Sequence, residues 1–367
     1  MAVFALHPFA LGGWLAFIPL VKETLNLTKT ELAMALLGLP LAVVPGLQIA
    51  SRVIARSGPR RVMAVVFPLQ ALAVLLPLMA TSQLTLFFAL MVFGITMAFL
   101  QVCLNVYAGR LEKQASALVM NRCHGFWALG LMAGPLVVTW LYIVSPVVAL
   151  AISAGVSSLI AMAIALKLPK LDGSEDQVAP PRRKLAQLPR ALIAISLFAL
   201  SVSMAEGAMA DWAAIYLSER LPAGTTFVGL GVSVYAGALA AGRLSGDWLK
   251  ARLGAVVLAR ATVGLAIIGL LLLILPLPLF AAFIGFAFVD AGASVGLPLG
   301  VSAVAALDDR YEASNIAIMS SVTICGFLIG PPLIGVLADI FTLRAGLAAV
   351  LPGLCVSFWL AKWLRAQ

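Results

Sequence analysis

Asp290, Glu206 and His124 have the chemistry to take up and release a proton inside otherwise uncharged surroundings. Asp290 follows an uncharged run from Ala261 to Val289 and has no basic residue one helical turn away. An isolated carboxyl in an apolar setting is costly to ionise and binds a proton readily. It reads as a proton-coupling site or a direct contact for a cationic or hydroxylated solute, with a structural pair to Arg122, Arg243 or a helix end as the bland alternative. Glu206 opens the stretch Glu-Gly-Ala-Met-Ala-Asp-Trp, which closes on Asp211 and Trp212. Five residues on a helix turn through about 140°, so the two carboxyls do not share a face and are not a paired acid and base. Glu206 is then a proton or substrate site of its own, or a structural hydrogen bond to backbone in a glycine-broken helix. Asp211 with Trp212 reads as an interfacial gate or anchor, a depth that Trp favours.

A second set could hydrogen-bond a solute. Gln101 and Asn105 fall on one helical face, and Asn121, His124 and Ala128 on another, with Arg122 turned away as a partner for Glu112, a loop carbonyl or an anion. Tyr235, Leu239 and Gly242 share a face with Arg243 beside it, and His7, Leu11 and Trp14 form a stripe. Trp14 could stack on a substrate or simply pack. For the amides the alternative is helix-to-helix bonding. His124 is either a proton carrier or a satisfied hydrogen-bonding group.

The elements that hold these residues follow from composition. Of 367 residues, 63% are hydrophobic and 11% charged, against roughly 45–50% and about 25% in a soluble domain. Unbroken apolar runs such as Leu84 to Gly109 lack the alternation of a membrane barrel, so the spans are helices whose backbones are satisfied internally. At about 20 residues per span, twelve helices are expected, near 2–21, 31–54, 62–81, 84–107, 117–141, 145–167, 191–217, 226–250, 256–275, 279–306, 314–340 and 345–364. Asp290 then lies about 16 Å into the tenth, near the middle of a core about 30 Å thick. Glu206 lies about 22 Å from the cytoplasmic end of the seventh and His124 about 10 Å from the same surface, within reach of Asp290.

With both termini in the cytoplasm, 20 of the 24 Lys and Arg residues fall on the inner side and only Lys22, Lys29, Arg220 and Arg344 on the outer. That asymmetry fixes an even number of spans and their orientation. The net charge of +9 is therefore topological and does not point to nucleic acid. The N-terminus lacks the basic lead of a signal peptide, so its apolar stretch is read as a retained helix. Cys103, Cys123, Cys325 and Cys355 sit in apolar context without metal or disulfide spacing and read as small core residues. There is no phosphate-binding Gly-x-x-x-x-Gly-Lys loop and no hydrolase constellation. No cofactor, metal or enzymatic activity is expected, and energy would come from an ion or solute gradient.

An internal repeat appears at a shift of 196 residues. Ala55-Arg56-Ser57-Gly58 falls on Ala251-Arg252-Leu253-Gly254, Gly46 on Gly242, Glu112 on Asp308, and Gly130-Leu-Met-Ala-Gly134-Pro135 on Gly326-Phe-Leu-Ile-Gly330-Pro331. Two six-helix units, 1–168 and 191–367, are then joined by a basic, proline-rich cytoplasmic linker at 169–190. Parallel repeats of this kind are one plan of secondary transporters.

With its basic Gly-containing turn after helix two, repeated after helix eight, and GxxxGP in helix five, the chain resembles the major facilitator superfamily over essentially its whole length. The resemblance implies an all-α membrane protein of twelve helices in two pseudo-symmetric bundles, with helices three, six, nine and twelve facing lipid. It also implies that helix one lines the cavity. The family turn reads roughly G-x-x-x-D-R-x-G-R-R; here Ser51 and Ala55 replace its glycine and aspartate, while Arg56, Gly58, Arg60 and Arg61 remain. The second copy has Asp247 and Ala251, with Arg252 and Gly254. Glu112 or Asp308 would take over as latch partners for Arg52, Arg56 or Arg252, and Asp247 is a further candidate. In the family a GxxxGP in helix five goes with drug export, but Val137 and Val138 stand where glycines usually continue it.

The expected function is a monomeric, proton-coupled secondary transporter of a small polar organic solute, of sugar or organic-acid type, in a bacterial inner membrane. The alternatives are a proton-antiport exporter of amphipathic compounds and, from another class, a transporter-like sensor or scaffold.

Overall fold

Apolar runs of span length become helices because a chain in hydrocarbon can satisfy its backbone only within each segment. The computed structural model describes residues 1–115, 119–142, 145–171, 188–222, 226–308 and 311–365, without the side chains of 113, 115, 121, 226 and 313. Most of the linker, and the side chain of Asn121, lie outside the described residues. Among the described residues, twelve helices are long and apolar enough to cross a membrane: α1 (Ala2–Thr24), α2 (Lys29–Ser57), α3 (Pro59–Met79), α4 (Gln83–Glu112), α5 (Arg122–Leu141), α6 (Pro146–Lys167), α7 (Arg190–Ser218), α8 (Phe227–Leu253), α9 (Ala255–Ile274), α10 (Leu279–Ala305), α11 (Ser314–Ile340) and α12 (Leu343–Leu364). No strand occurs among the described residues.

Short polar side chains set several starts. Thr28 and Glu31 form a reciprocal cap at the head of α2, Thr28 Oγ1 accepting from the Glu31 amide at 3.1 Å and the Glu31 carboxylate from the Thr28 amide at 2.9 Å. Ser145 accepts from the Val148 amide at 3.2 Å and so begins α6. That cap and Pro146 divide the long uncharged stretch between Cys123 and Leu166, which composition alone leaves continuous. Gly58 and Gly254 adopt φ of 77° and 74° in the turns after α2 and α8, a region open to glycine without steric cost.

Two compact units make up the chain, Met1–Ser174 with Asp211–Ala240, and Glu175–Ala210 with Ala241–Gln367. In the first, α1 packs on α5 with Gly130 against the Ala5 carbonyl and Gly134 against the Phe9 carbonyl, and α2 packs on α4 with Gly46 facing Ala98 and Ile95. In the second, α7 packs on α11 with Gly326 against the backbone of Leu200 and Met204, and α8 packs on α10 with Gly242 facing Ser294 and Ala291. Ala98 and Ser294, like Ile95 and Ala291, stand 196 residues apart, as do the two positive-φ glycines. The sequence repeat is therefore also a repeat of helix contacts, and both GxxxGP elements serve close helix approach.

Cys103 and Cys123 are buried, but Cys325 and Cys355 are exposed on helix surfaces. The expectation of four core cysteines fails for the last two because the outer face of a membrane helix is itself apolar, so local composition does not separate it from the core.

Candidate functional site

Three ionisable residues come together in the second unit, held by the approach of α8 to α10. A methyl group on Gly242 would run into Ser294 Oγ and come within 2.7 Å of its Cβ, and one on Gly246 would lie 2.9 Å from Val295. Ser294 turns its hydroxyl back to donate to the Ala291 carbonyl at 2.7 Å. Next to Gly242, Arg243 reaches α7 and donates from Nη2 to Glu206 Oε1 at 3.1 Å. Both side chains keep some access, 16% for Arg243 and 19% for Glu206. Asp290, one turn before Ser294, is 0% exposed, and neither of its oxygens has a hydrogen-bond partner among the described residues. It lies within electrostatic range of both Glu206 and Arg243.

This set amounts to one ion pair and one carboxyl left over. An ionised carboxylate buried without a partner costs several kcal/mol, by order of magnitude. Two events relieve it, binding of a proton at Asp290 or transfer of Arg243 from Glu206 to Asp290. The fold does not impose the cluster: at the repeat-related positions 196 residues earlier stand Ala10, Leu47 and Gly94. Gly94 simply packs α4 on Leu39 and Ala42 of α2.

The first unit holds a different polar group. Trp127 Nε1 donates to His7 Nδ1 at 3.3 Å. The buried His7 ring also faces the Met97 backbone carbonyl, too loosely for Nε2 to be counted as bonded. His7 thus ties α1 to α5. Phe4 meets the His124 ring edge to face, with centroids 5.8 Å apart. Trp14 is buried. Gln101 is exposed, and Asn105 is half-buried with an unbonded Oδ1. Tyr235 is buried. Asp211 is half-buried, while Trp212 is buried with no acceptor at its indole N–H among the described residues. His124 belongs to the first unit and Asp290 to the second.

Of the latch candidates, Glu112 Oε1 accepts from the amides of Val119 and Met120 at 2.6 and 2.8 Å, capping the entry to α5. Arg52 and Arg56 are exposed, as is Asp247, and Asp308 is half-buried. Arg252 stacks over the Trp248 ring, 4.1 Å from its centroid. Arg60 donates to the carbonyls of Ala165 and Leu166 at the end of α6. At the opposite ends of the helices, Lys29 Nζ lies 2.7 Å from Glu219 Oε1.

Sequence reasoning did not pair Arg243 with Glu206, and depth was the available signal. Counted from the same side, Glu206 is about 24 Å along α7 and Arg243 about 15 Å along α8, a gap the long arginine side chain closes. The Trp127–His7 bond carried the same signal, since each residue lies five positions, about 7.5 Å, into its helix from the same side.

A family model described as Major Facilitator Superfamily matches residues 1–289. The chain is 27% identical over 350 residues to an uncharacterized MFS-type transporter of Yersinia pestis, covering 95% of this chain and 90% of that one. It is 29% identical over 352 residues to an uncharacterized transporter of Sinorhizobium fredii, covering 94% and 91%. In fold it is similar to the nucleoside transporter NupG, with a TM-score of 0.76 at 14% identity over 99% of this chain and 97% of that one.

Proposed function

The chain belongs to the major facilitator superfamily and is a multi-pass secondary transporter; from that premise we propose that it moves a small polar organic solute in step with protons, with Asp290 as the proton-carrying group. The observation that carries the reading is a fully buried carboxyl without a hydrogen bond among the described residues, beside an ion pair that keeps partial access. When Asp290 holds a proton, Glu206 and Arg243 satisfy one another and the cluster is neutral. When it releases the proton, Arg243 is drawn toward it and Glu206 is freed. Solute binding and proton binding then compete for, or depend on, one guanidinium, which is the form that coupling takes in free-energy terms.

Substrate contacts come from Glu206 and Arg243 in this account, with Gln101, Asn105, Asn121 and Tyr235 as further hydrogen-bonding candidates and His124 as a second proton carrier. His7 and Trp14 are better read as internal supports, since both are buried and His7 is bonded to Trp127. A sugar-like solute fits better than an organic acid, because Arg243 already serves Glu206 and an acid would have to displace that carboxylate. The nucleoside transporter similar in fold carries a solute of the same neutral, hydroxylated kind.

The two units expected at 1–168 and 191–367 would rock about this site in a bacterial inner membrane, with both termini cytoplasmic and the protein monomeric. Lys29 with Glu219 would meet and part at the outer side, where Asp211 and Trp212 would serve as gate or anchor. Arg52, Arg56, Asp247, Arg252 and Asp308 would do so at the inner. The test begins with thermal-shift screening of purified protein against sugars, nucleosides and organic acids at two pH values. Asp290→Asn is then expected to keep exchange of the stabilising solute across proteoliposomes and to lose proton-driven accumulation. If it accumulates solute like the wild type, the assignment fails.

A further inference from the structure

Arg260 sits five residues into α9, about 7 Å along the helix, and is half-buried with no carboxylate or carbonyl bonded to it among the described residues. Its guanidinium lies over the Phe358 ring of α12, 5.9 Å from the centroid. One turn beyond Phe358, the exposed Lys362 lies 6.0 Å from the Trp363 ring centroid, and Trp359 beside them is 70% exposed. The first repeat shows what a basic residue in this region can otherwise do. There Arg60 of α3 is used up on the carbonyls of Ala165 and Leu166. The equivalent carbonyls in the second repeat belong to Ala361 and Lys362, and Val256 stands in place of Arg60. Arg260, Phe358 and Lys362 correspond to Ala64, Met162 and Leu166, so the fold itself does not ask for charge here.

A guanidinium part-way into a hydrocarbon span needs an anion, and the ring of Phe358 supplies only a weak substitute. The surrounding tryptophans are the side chains that settle at the headgroup layer. We propose that Arg260 and Lys362, framed by Phe358, Trp359 and Trp363, bind the phosphate headgroup of an anionic phospholipid at the α9–α12 surface. The guanidinium offers paired N–H donors to phosphate oxygens, the lysine adds a point charge, and the acyl chains lie along the exposed faces of Val356 and Trp359.

The test uses the purified full chain in neutral detergent. Phosphatidylglycerol is expected to raise the thermal midpoint by several degrees over the same amount of phosphatidylcholine. That difference should vanish in Arg260→Gln/Lys362→Gln and be partly kept in Arg260→Lys. Because the double variant could fold poorly, native mass spectrometry on the Lys362→Gln variant reads the same site, with at least a fivefold loss of phosphatidylglycerol adducts expected. A variant that keeps the full phosphatidylglycerol effect overturns the proposal. So does stabilisation by inorganic phosphate alone, which would mark a site for soluble anions.

Discussion

Asp290 and Arg243 carry opposite expectations under substitution, and the difference comes from what each leaves behind. Asp290→Asn keeps the shape and removes a group that can become charged, so the protein should be purified at normal yield with unchanged or higher thermal stability. Arg243→Met strands Glu206. Breaking a fully buried pair costs about 3–5 kcal/mol, and for this partly accessible pair about 1–3 kcal/mol is expected. The double variant Glu206→Gln/Arg243→Met should recover more than half of the loss when thermal midpoints are compared. If the double variant loses the sum of what Glu206→Gln and Arg243→Met lose singly, the 3.1 Å contact carries no coupling and Arg243 acts elsewhere.

At the scale of helices, close approach through small residues sets the geometry, and the glycines are not equivalent. A methyl group on Gly130 would meet the Ala5 backbone carbonyl, which cannot withdraw without moving α1. On Gly242 it would meet chiefly the Ser294 side chain. Gly242→Ala combined with Ser294→Gly should therefore be nearly as stable as wild type, whereas Gly130→Ala should cost about 1–3 kcal/mol with no single-residue remedy. Thermal unfolding of the two variants beside the wild type decides this. The helices were legible in the sequence to within a few residues, because lipid permits little else and polar caps such as Ser145 mark the breaks. The repeat was legible as well, through Gly46, Gly58 and Gly130 and their partners. The pairings Arg243 with Glu206 and Trp127 with His7 were not, because hydrophobic periodicity says which helices exist and almost nothing about which faces meet.

For the whole molecule, the ionisable cluster belongs to one copy of a doubled design. Glu206, Arg243 and Asp290 replace Ala10, Leu47 and Gly94, while His7 and Trp127 occupy the other copy opposite Ser203 and Thr323. On the proposed function, charge movement falls to the second copy and neutral hydrogen bonding to the first. In the proposed rocking of 1–168 against 191–367, the Lys29–Glu219 pair would part on opening at that side. Its members are 19% and 41% exposed, so the pair is worth about 0–1 kcal/mol. Lys29→Glu should change the transport rate by less than about fivefold, and Lys29→Glu/Glu219→Lys should restore it.

Proton movement is the most direct test of the central claim. Proteoliposomes in weak buffer, without an imposed gradient, receive the solute found by thermal-shift screening while the external pH is recorded. The wild type is expected to give a solute-dependent pH change that a protonophore collapses, and Asp290→Asn to give none while still exchanging solute. A pH change of wild-type size in Asp290→Asn, or no solute-dependent change in the wild type, would contradict the account.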